Sequence, residues 1–244
     1  MKSKTTSGLL ISAAALTMAA TGAQAVSLIA NGSFEAGLSS WSTTNQIGSD
    51  GTFFSQTGSS SPVNGFSVAA PVHGLRAAMT DSGAGGSHVL SQDFIVPTDV
   101  TAGSVSFQLY LNNGAETYFN VAHLDWAQFN QNGTLNLNQQ ARVDIITTAA
   151  DPFSTAPADV LTNLFRTDGT TPAVTGYNAF SFDLSAFFVA HAGETLRLRF
   201  AETDNVNFFN FGVDDVSVTA VPAPAAGLLA LGSLAAASRR RRHR

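Results

Sequence analysis

Residues 105–111 read VSFQLYL, in which the odd positions are all apolar and two of the even positions are Ser106 and Gln108. A second segment, LRLRF at residues 196–200, has its apolar residues at even positions and an arginine at each position between them. Alternation with a period of two is typical of a β-strand that buries one face and leaves the other face polar. Both segments therefore predict strands of a sheet that covers a hydrophobic core.

Similar short segments recur along the chain and are separated by Ser, Thr, Asn and Gly. The further candidate strands are 27–30, 52–57, 66–70, 75–80, 88–96, 119–129, 141–148, 177–184 and 208–219. Only residues 158–165, after Pro157, and residues 185–190, before Gly193, suggest short helices. Many strands with little helix predict an all-β fold, a single antiparallel β-sandwich over residues 26–220.

The composition excludes several classes of protein. The chain has 244 residues, of which 44% are hydrophobic and 12% charged, so it has enough apolar material for a core and is not disordered. It has no cysteine, which excludes disulfides, thiolate metal sites and a cysteine nucleophile. Residues 26–220 carry five arginines against all 17 acidic residues, a net charge of −12. Such an acidic body without a basic patch predicts no nucleic-acid partner.

The first 25 residues predict a secretory signal peptide. Lys2 and Lys4 give a positive start, residues 9–20 are largely apolar, and Ala23-Gln24-Ala25 is a small-x-small cleavage site. We expect signal peptidase to cleave before Val26. The alternative is that these residues form a helix of the mature domain.

The last residues, 221–244, form a separate segment with its own pattern. Val221-Pro222-Ala223-Pro224 ends the preceding strand, and residues 225–237 are small or apolar. This apolar stretch is shorter than the roughly 20 residues that a membrane span needs. A terminal cluster of arginines would hold the chain end in the cytoplasm; it consists of Arg239, Arg240, Arg241, Arg242 and Arg244. The pattern predicts transient insertion in the inner membrane, and the alternative is an ordinary C-terminal helix.

This tail resembles the PEP-CTERM sorting signal, which exosortases recognise in Gram-negative bacteria that produce exopolysaccharide. Pro222-Ala223-Pro224 stands where the signal has Pro-Glu-Pro, followed by the apolar segment and Arg239 to Arg242. The resemblance implies processing by an exosortase-like sorting enzyme. It also implies a final location at the cell surface or in the extracellular matrix.

The two ends of the body carry a second resemblance. The body opens with Asn31-Gly32-Ser33-Phe34-Glu35-Ala36-Gly37 and Trp41, and it closes with Phe211-Gly212-Val213-Asp214-Asp215-Val216-Ser217-Val218. Between them lie Gly74-Leu75-Arg76-Ala77-Ala78-Met79 and Gln92-Asp93-Phe94-Ile95-Val96. Together these segments resemble the galactose-binding-like jelly roll of many carbohydrate-binding modules. The resemblance implies a jelly-roll sandwich, a core position for Trp41, and contact with extracellular polysaccharide.

The same resemblance implies one structural Ca²⁺ between the first and last strands, with Glu35, Asp214 and Asp215 as candidate ligands. Strand alternation puts Asp214 on the face of Val216 and Val218, towards the core, where an unpartnered carboxylate costs several kcal/mol. A cation ringed by oxygen atoms removes that cost. The alternative is that Asp214 accepts backbone N–H bonds or pairs with an arginine such as Arg76. Asp215 points the other way and is the weaker candidate.

Enzyme signatures are missing from the sequence. It has no H-E-x-x-H, no G-x-S-x-G, no phosphate-binding glycine loop and no dinucleotide fingerprint. Its histidines are scattered, which predicts surface or strand-end positions for His73, His88, His123 and His191. Glu202 and Asp204 face one side of a strand, and with the nearby Arg197 and Arg199 they predict a surface ion-pair ladder. We therefore expect no catalytic residues.

Sugar-binding proteins use flat aromatic rings, and the candidates here are Tyr110, Tyr118 and Tyr177. Trp126 alternates with Leu124 and Ala122, which predicts a core position. Arg142 and Asp144 share one strand face and either bridge neighbouring strands or line a polar ligand groove.

The sequence thus predicts an exported, non-enzymatic β-sandwich that is processed at both ends and contacts extracellular carbohydrate. One alternative is a structural or adhesive matrix protein without a small ligand. The other alternative is a hydrolase that uses acidic residues.

Overall fold

Eleven β-strands and one short helix make up residues 23–224, the part of the chain that this computed structural model describes. Their bounds are β1 (Val26–Ser27), β2 (Ser42–Asn45), β3 (Thr52–Thr57), β4 (Arg76–Asp81), β5 (Gly86–Ile95), β6 (Val100–Asn113), β7 (Gln139–Thr147), β8 (Val160–Arg166), β9 (Asn178–Asp183), α1 (Ser185–Ala190), β10 (Thr195–Asp204) and β11 (Phe209–Pro222).

The strands form two antiparallel sheets. The first sheet has the order β3-β4-β11-β6-β9, with β1 also paired to β11, and the second has the order β2-β5-β10-β7-β8. Every pairing between named strands is antiparallel. The prediction of an all-β antiparallel sandwich is therefore confirmed.

The two segments with the clearest alternation face each other across the core. Phe107 of β6 and Phe200 of β10 are both buried, and their ring centroids lie 5.5 Å apart in an edge-on arrangement. Their in-phase neighbours Leu109 and Leu198 are buried in the same cluster. Trp41 is also part of this core, as predicted, with 8% of its surface exposed.

Local sequence was a poor guide in several segments. Residues 66–70, predicted to be a strand, have only an isolated bridge at Ser67. Residues 158–165, predicted to be helical, form most of β8, which pairs with β7 and packs Phe165 against Phe180 at 5.1 Å. Residues 119–129, predicted to be a strand, consist of turns and isolated bridges. The polar strand β2 has no alternation and was not predicted. The helix at Ser185–Ala190 is confirmed.

The ends of the chain are described only in part. Strand β11 ends at Pro222, three residues beyond the predicted end at 219, and the N–H of Ala223 then donates to the carbonyl oxygen of Asp99 at 2.7 Å. Residues 1–22 and 225–244 lie outside the described part of the chain, and with them most of the predicted signal peptide and sorting tail, including Arg239 to Arg242. Between residues 23 and 224 there is no helix of the length and apolarity that a membrane span requires.

Candidate functional site

The two carboxylates that are the stronger calcium candidates both contact the loop of residues 72–76. Asp214 Oδ2 accepts the backbone N–H groups of residues 72 and 73, each at 2.9 Å. Glu35 Oε1 accepts those of residues 75 and 76, at 2.8 and 2.9 Å. The opening and closing segments of the domain therefore hold the same loop from two sides.

These residues fit calcium in the chemistry of their ligand atoms, because carboxylate oxygens are what calcium prefers. Asp214 is fully buried and Asp215 is exposed, with a positive φ of 49°. Burial raises the pKa of Asp214 even though it accepts N–H bonds from His73, Asp215 and Val72. These N–H donors match the alternative interpretation of the sequence, in which Asp214 accepts backbone N–H bonds. Calcium at Glu35, Asp214 and Asp215 stays a prediction.

The tyrosines proposed as sugar platforms lie mostly inside the protein, which corrects that part of the sequence analysis. Tyr110 and Tyr118 are only 4% and 8% exposed. Tyr110 packs on Tyr177 with centroids 5.6 Å apart, in a small cluster with Val68 and Met79. Tyr110 is buried on the mostly polar side of β6 because the segment around residue 68 covers it there. A covered ring has no free face on which a sugar can stack.

Arg142 and Asp144 belong to a buried ion-pair network rather than to an open groove. Asp144 Oδ2 accepts bonds from Arg142 Nε at 2.7 Å and from Arg199 Nη2 at 2.5 Å. Arg199 and Asp144 are directly opposite on β10 and β7, and both are fully buried. Arg199 Nη1 also donates to the carbonyl oxygens of Pro152 and Ser154. The loop that contains these two residues therefore closes over the network.

An open cleft with a volume of about 340 Å³ lies at one end of the sandwich. Its walls are the turn of residues 82–85 and residues 204–208, with Asn64 and Phe66 on the remaining side. We call it the Phe66 cleft. Phe66 is 41% exposed, and its ring centroid lies 4.7 Å from that of the half-buried Phe208. Paired rings beside asparagine side chains give the cleft both an apolar face and polar groups.

Three titratable residues meet behind one wall of this cleft. Antiparallel pairing of β5 with β10 puts His88 directly opposite Glu202, and Gly86 opposite Asp204. His88, Glu202 and Asp204 are 1%, 1% and 3% exposed, and one possible ligand atom from each lies within 4.8 Å of those of the other two. We call these three residues the His88 cluster. Within residues 23–224 it is the only group of three such residues that converges this closely.

Burial shifts the pKa of all three side chains. It lowers the pKa of His88 to about 4 and raises the pKa of Asp204 to about 7. It also raises the pKa of Glu202 well above the ordinary value, with the charge of Asp204 as a second cause. Burial thus favours the neutral form of each of these side chains.

The sequence analysis was wrong about these residues. His88 was predicted at the surface or a strand end, and Glu202 and Asp204 in a surface ladder with Arg197 and Arg199. Of these arginines, Arg197 pairs instead with Asp93, at 2.6 Å. A usable signal was present, because positions 202 and 204 continue the even phase of the buried residues 196, 198 and 200.

Comparisons with known proteins give only distant similarities. No protein-family model matches the chain, and no curated protein matches its sequence. One similar solved structure is TmCBM61 in complex with β-1,4-galactotriose, with 11% identity over 79% of this chain and 97% of that chain and a TM-score of 0.47. Another is the K3 cleaved adhesin domain of Lys-gingipain from Porphyromonas gingivalis W83, with 13% identity over 78% of this chain and 98% of that chain and a TM-score of 0.46.

A third similar structure has a different kind of activity. It is the Stig cyclase Fisc from Fischerella sp. TAU, with 15% identity over 82% of this chain and all of that chain and a TM-score of 0.43. All three TM-scores are below 0.5. At this level of similarity, none of the three carries an argument about the function of this chain.

Proposed function

We propose that this protein is an exported, non-enzymatic β-sandwich of the jelly-roll type that contacts extracellular carbohydrate through the Phe66 cleft. The observation that carries the proposal is the pair of packed rings, Phe66 and Phe208, at the rim of an open cleft with asparagine side chains in its walls. A sugar ring has an apolar C–H face and hydroxyl groups at its edge. The cleft offers aromatic surface to the face and polar groups to the edge.

The placement of the nearby carboxylates favours binding over hydrolysis. Glycosidases hold two carboxyl groups on either side of the scissile bond, about 5–10 Å apart across a cleft. Glu202 and Asp204 instead lie two residues apart on one strand, and both are buried. Asp204 lines the Phe66 cleft and Glu202 lies behind its wall, so the two carboxyl groups do not face each other across the space that a sugar would occupy.

Export and sorting are supported by the sequence at the two ends of the chain. The signal pattern of residues 1–25 supports cleavage by signal peptidase. The pattern that begins at Pro222 and Pro224 and ends in arginines supports processing by an exosortase-like enzyme after transient insertion in the inner membrane. The proposed destination is the cell surface or extracellular matrix of a Gram-negative bacterium.

The cleft is tested by screening the purified protein on an array of bacterial and plant polysaccharides. We expect binding that falls at least tenfold in Phe66→Ala and Phe208→Ala. The matched control is Phe129→Ala, because Phe129 is 61% exposed and does not line the cleft. If the cleft variants bind as the wild type does, the site assignment is wrong. If no polysaccharide binds while the protein self-associates, the structural or adhesive alternative replaces carbohydrate binding.

A further inference from the structure

The His88 cluster contains buried polar atoms that the protein itself does not satisfy. Within residues 23–224, His88 Nε2 and Glu202 Oε1 have no hydrogen-bond partner, although both side chains are about 99% buried. An unpaired buried polar group costs free energy, and buried polar groups are normally paired. Two such atoms in one cluster indicate a ligand that accepts electron pairs from both.

The surrounding contacts orient the side chains for this purpose. His88 Nδ1 lies 2.9 Å from Asn45 Oδ1, and with the Asn45 amide in this orientation the imidazole proton is on Nδ1. The lone pair of the imidazole is therefore on Nε2, the unpaired nitrogen. Asp204 Oδ1 accepts the backbone N–H of Gly86 at 2.9 Å. Metal-binding sites use this kind of support from second-shell groups to fix their ligands.

Residue 86 is also important for the space around the imidazole. A Cβ built on Gly86 would lie 2.4 Å from His88 Nε2 and 3.0 Å from the carbonyl oxygen of Asp50. The imidazole therefore packs directly against the backbone of Gly86 and close to the carbonyl oxygen of Asp50, so only glycine fits at residue 86. The N–H of the same glycine holds the carboxylate of Asp204.

We propose that His88, Glu202 and Asp204 bind one divalent transition-metal ion of the zinc class. One neutral imidazole and two carboxylates balance a charge of +2, so the occupied site is neutral within the core. A nitrogen ligand beside two oxygen ligands favours zinc over calcium, which takes oxygen ligands. The two carboxylates would bind the ion in their deprotonated form.

The position of the cluster gives the ion a route in and a structural role. Asp204 lines the Phe66 cleft, so an ion can reach the cluster from that side, and so can a water molecule that serves as its fourth ligand. The bound ion would join the beginning of β5 to the end of β10. Binding to the folded chain alone raises its stability by mass action. The ion site does not depend on carbohydrate binding, since His88 and Glu202 lie behind the cleft wall and only Asp204 lines the cleft.

The experiment uses the full-length protein, stripped with a chelator and then titrated with ZnCl2. We expect one zinc per chain after gel filtration, measured by elemental mass spectrometry. Free zinc at about a hundred times Kd should raise Tm by about 5–10 °C. Glu202→Gln should lose both effects, because it removes a carboxylate ligand, and its metal-free Tm should stay close to that of the wild type, because Gln has the same shape as Glu.

The matched control is Glu194→Gln, which removes the carboxylate of the exposed pair between His191 and Glu194. It should bind zinc as the wild type does. If Glu202→Gln does not fold, His88→Gln serves in its place and should also lose zinc. A wild type that binds no zinc, or cluster variants that bind it normally, would overturn the proposal. Stabilisation by calcium without zinc binding would overturn the choice of metal.

Discussion

Glu35 and Gly74 lie so close together that a Cβ at residue 74 would stand 2.3 Å from Glu35 Oε1. Gly74 also has a φ of +70°, a conformation that residues with side chains rarely adopt. We therefore expect Gly74→Ala to lower the free energy of unfolding by about 1–3 kcal/mol from backbone strain, and by more than at a glycine with open space around it, because the Glu35 carboxylate must also move off its N–H donors. Urea unfolding measures this change.

The matched control for this prediction is Gly58→Ala. Gly58 has a φ of +64°, but a Cβ there meets nothing within 4 Å. The decrease in the free energy of unfolding of Gly58→Ala should be limited to backbone strain, about 1 kcal/mol. Equal losses at residues 58 and 74 would contradict the claim that Glu35 makes residue 74 special.

The calcium prediction is tested by thermal unfolding in calcium and in EGTA. If the ion joins Glu35 and Asp214, calcium raises Tm, and both Glu35→Gln and Asp214→Asn abolish the rise. Asp214→Asn is the sharper variant because it keeps the size of the side chain and one acceptor oxygen. If calcium leaves the wild-type Tm unchanged, the backbone N–H donors of residues 72 and 73 are sufficient partners for Asp214.

Two arginines of β10 each pair with an aspartate of a neighbouring strand, and the two pairs should differ widely in their contribution to stability. Asp144→Asn leaves the buried Arg199 without its carboxylate, so we expect a loss of about 3–5 kcal/mol. Asp93→Asn breaks the partly exposed pair with Arg197 and should cost at most about 1 kcal/mol. Denaturant unfolding of the two variants compares the losses. A loss for Asp144→Asn no larger than that for Asp93→Asn would contradict the burial argument.

Asp81 should make the segment that includes Phe66 sensitive to acid. Its Oδ2 accepts the N–H groups of Val63 and Asn64 at 2.6 and 3.0 Å. Burial opposes the effect of these donors, but the pKa of Asp81 is still lowered from its usual 3.8. A lowered folded-state pKa contributes stability that is present above 3.8 and is lost as the pH falls through the folded value.

The test for Asp81 compares wild type with Asp81→Asn across pH. At neutral pH the variant should be less stable by about 1–3 kcal/mol, because an amide nitrogen can face the N–H donors. The difference should narrow below pH 3.8, where the wild-type carboxylate takes up its proton. A difference that does not change with pH would show that charge on Asp81 is unimportant.

Processing at both ends predicts the mass of the mature protein. The exported protein should lack residues 1–25 and the arginines at 239–244, with the second cut near Pro222 to Pro224. Mass spectrometry of protein recovered from the cell surface or medium measures both ends. An intact arginine cluster on mature surface protein would exclude the sorting prediction.

The sequence by itself determined the class of fold and much of the core. Alternation at residues 105–111 and 196–200 predicted two strands whose apolar faces are buried, and these faces meet at Phe107 and Phe200. Alternation is readable because successive side chains of any strand point to opposite faces, a local property of the backbone. The same local rule, continued along β10, would also have put Glu202 and Asp204 inside.

Only the tertiary structure decided which buried residues meet and which faces are covered. His88 reaches Glu202 because β5 pairs with β10, and these strands are far apart in the sequence. Tyr110 lies on the same side of β6 as Ser106 and Gln108, yet it is buried because the distant segment around Val68 packs over it. Residues 160–166 form a strand because β7 offers a partner. Such outcomes depend on contacts between distant parts of one chain, and no local pattern records them.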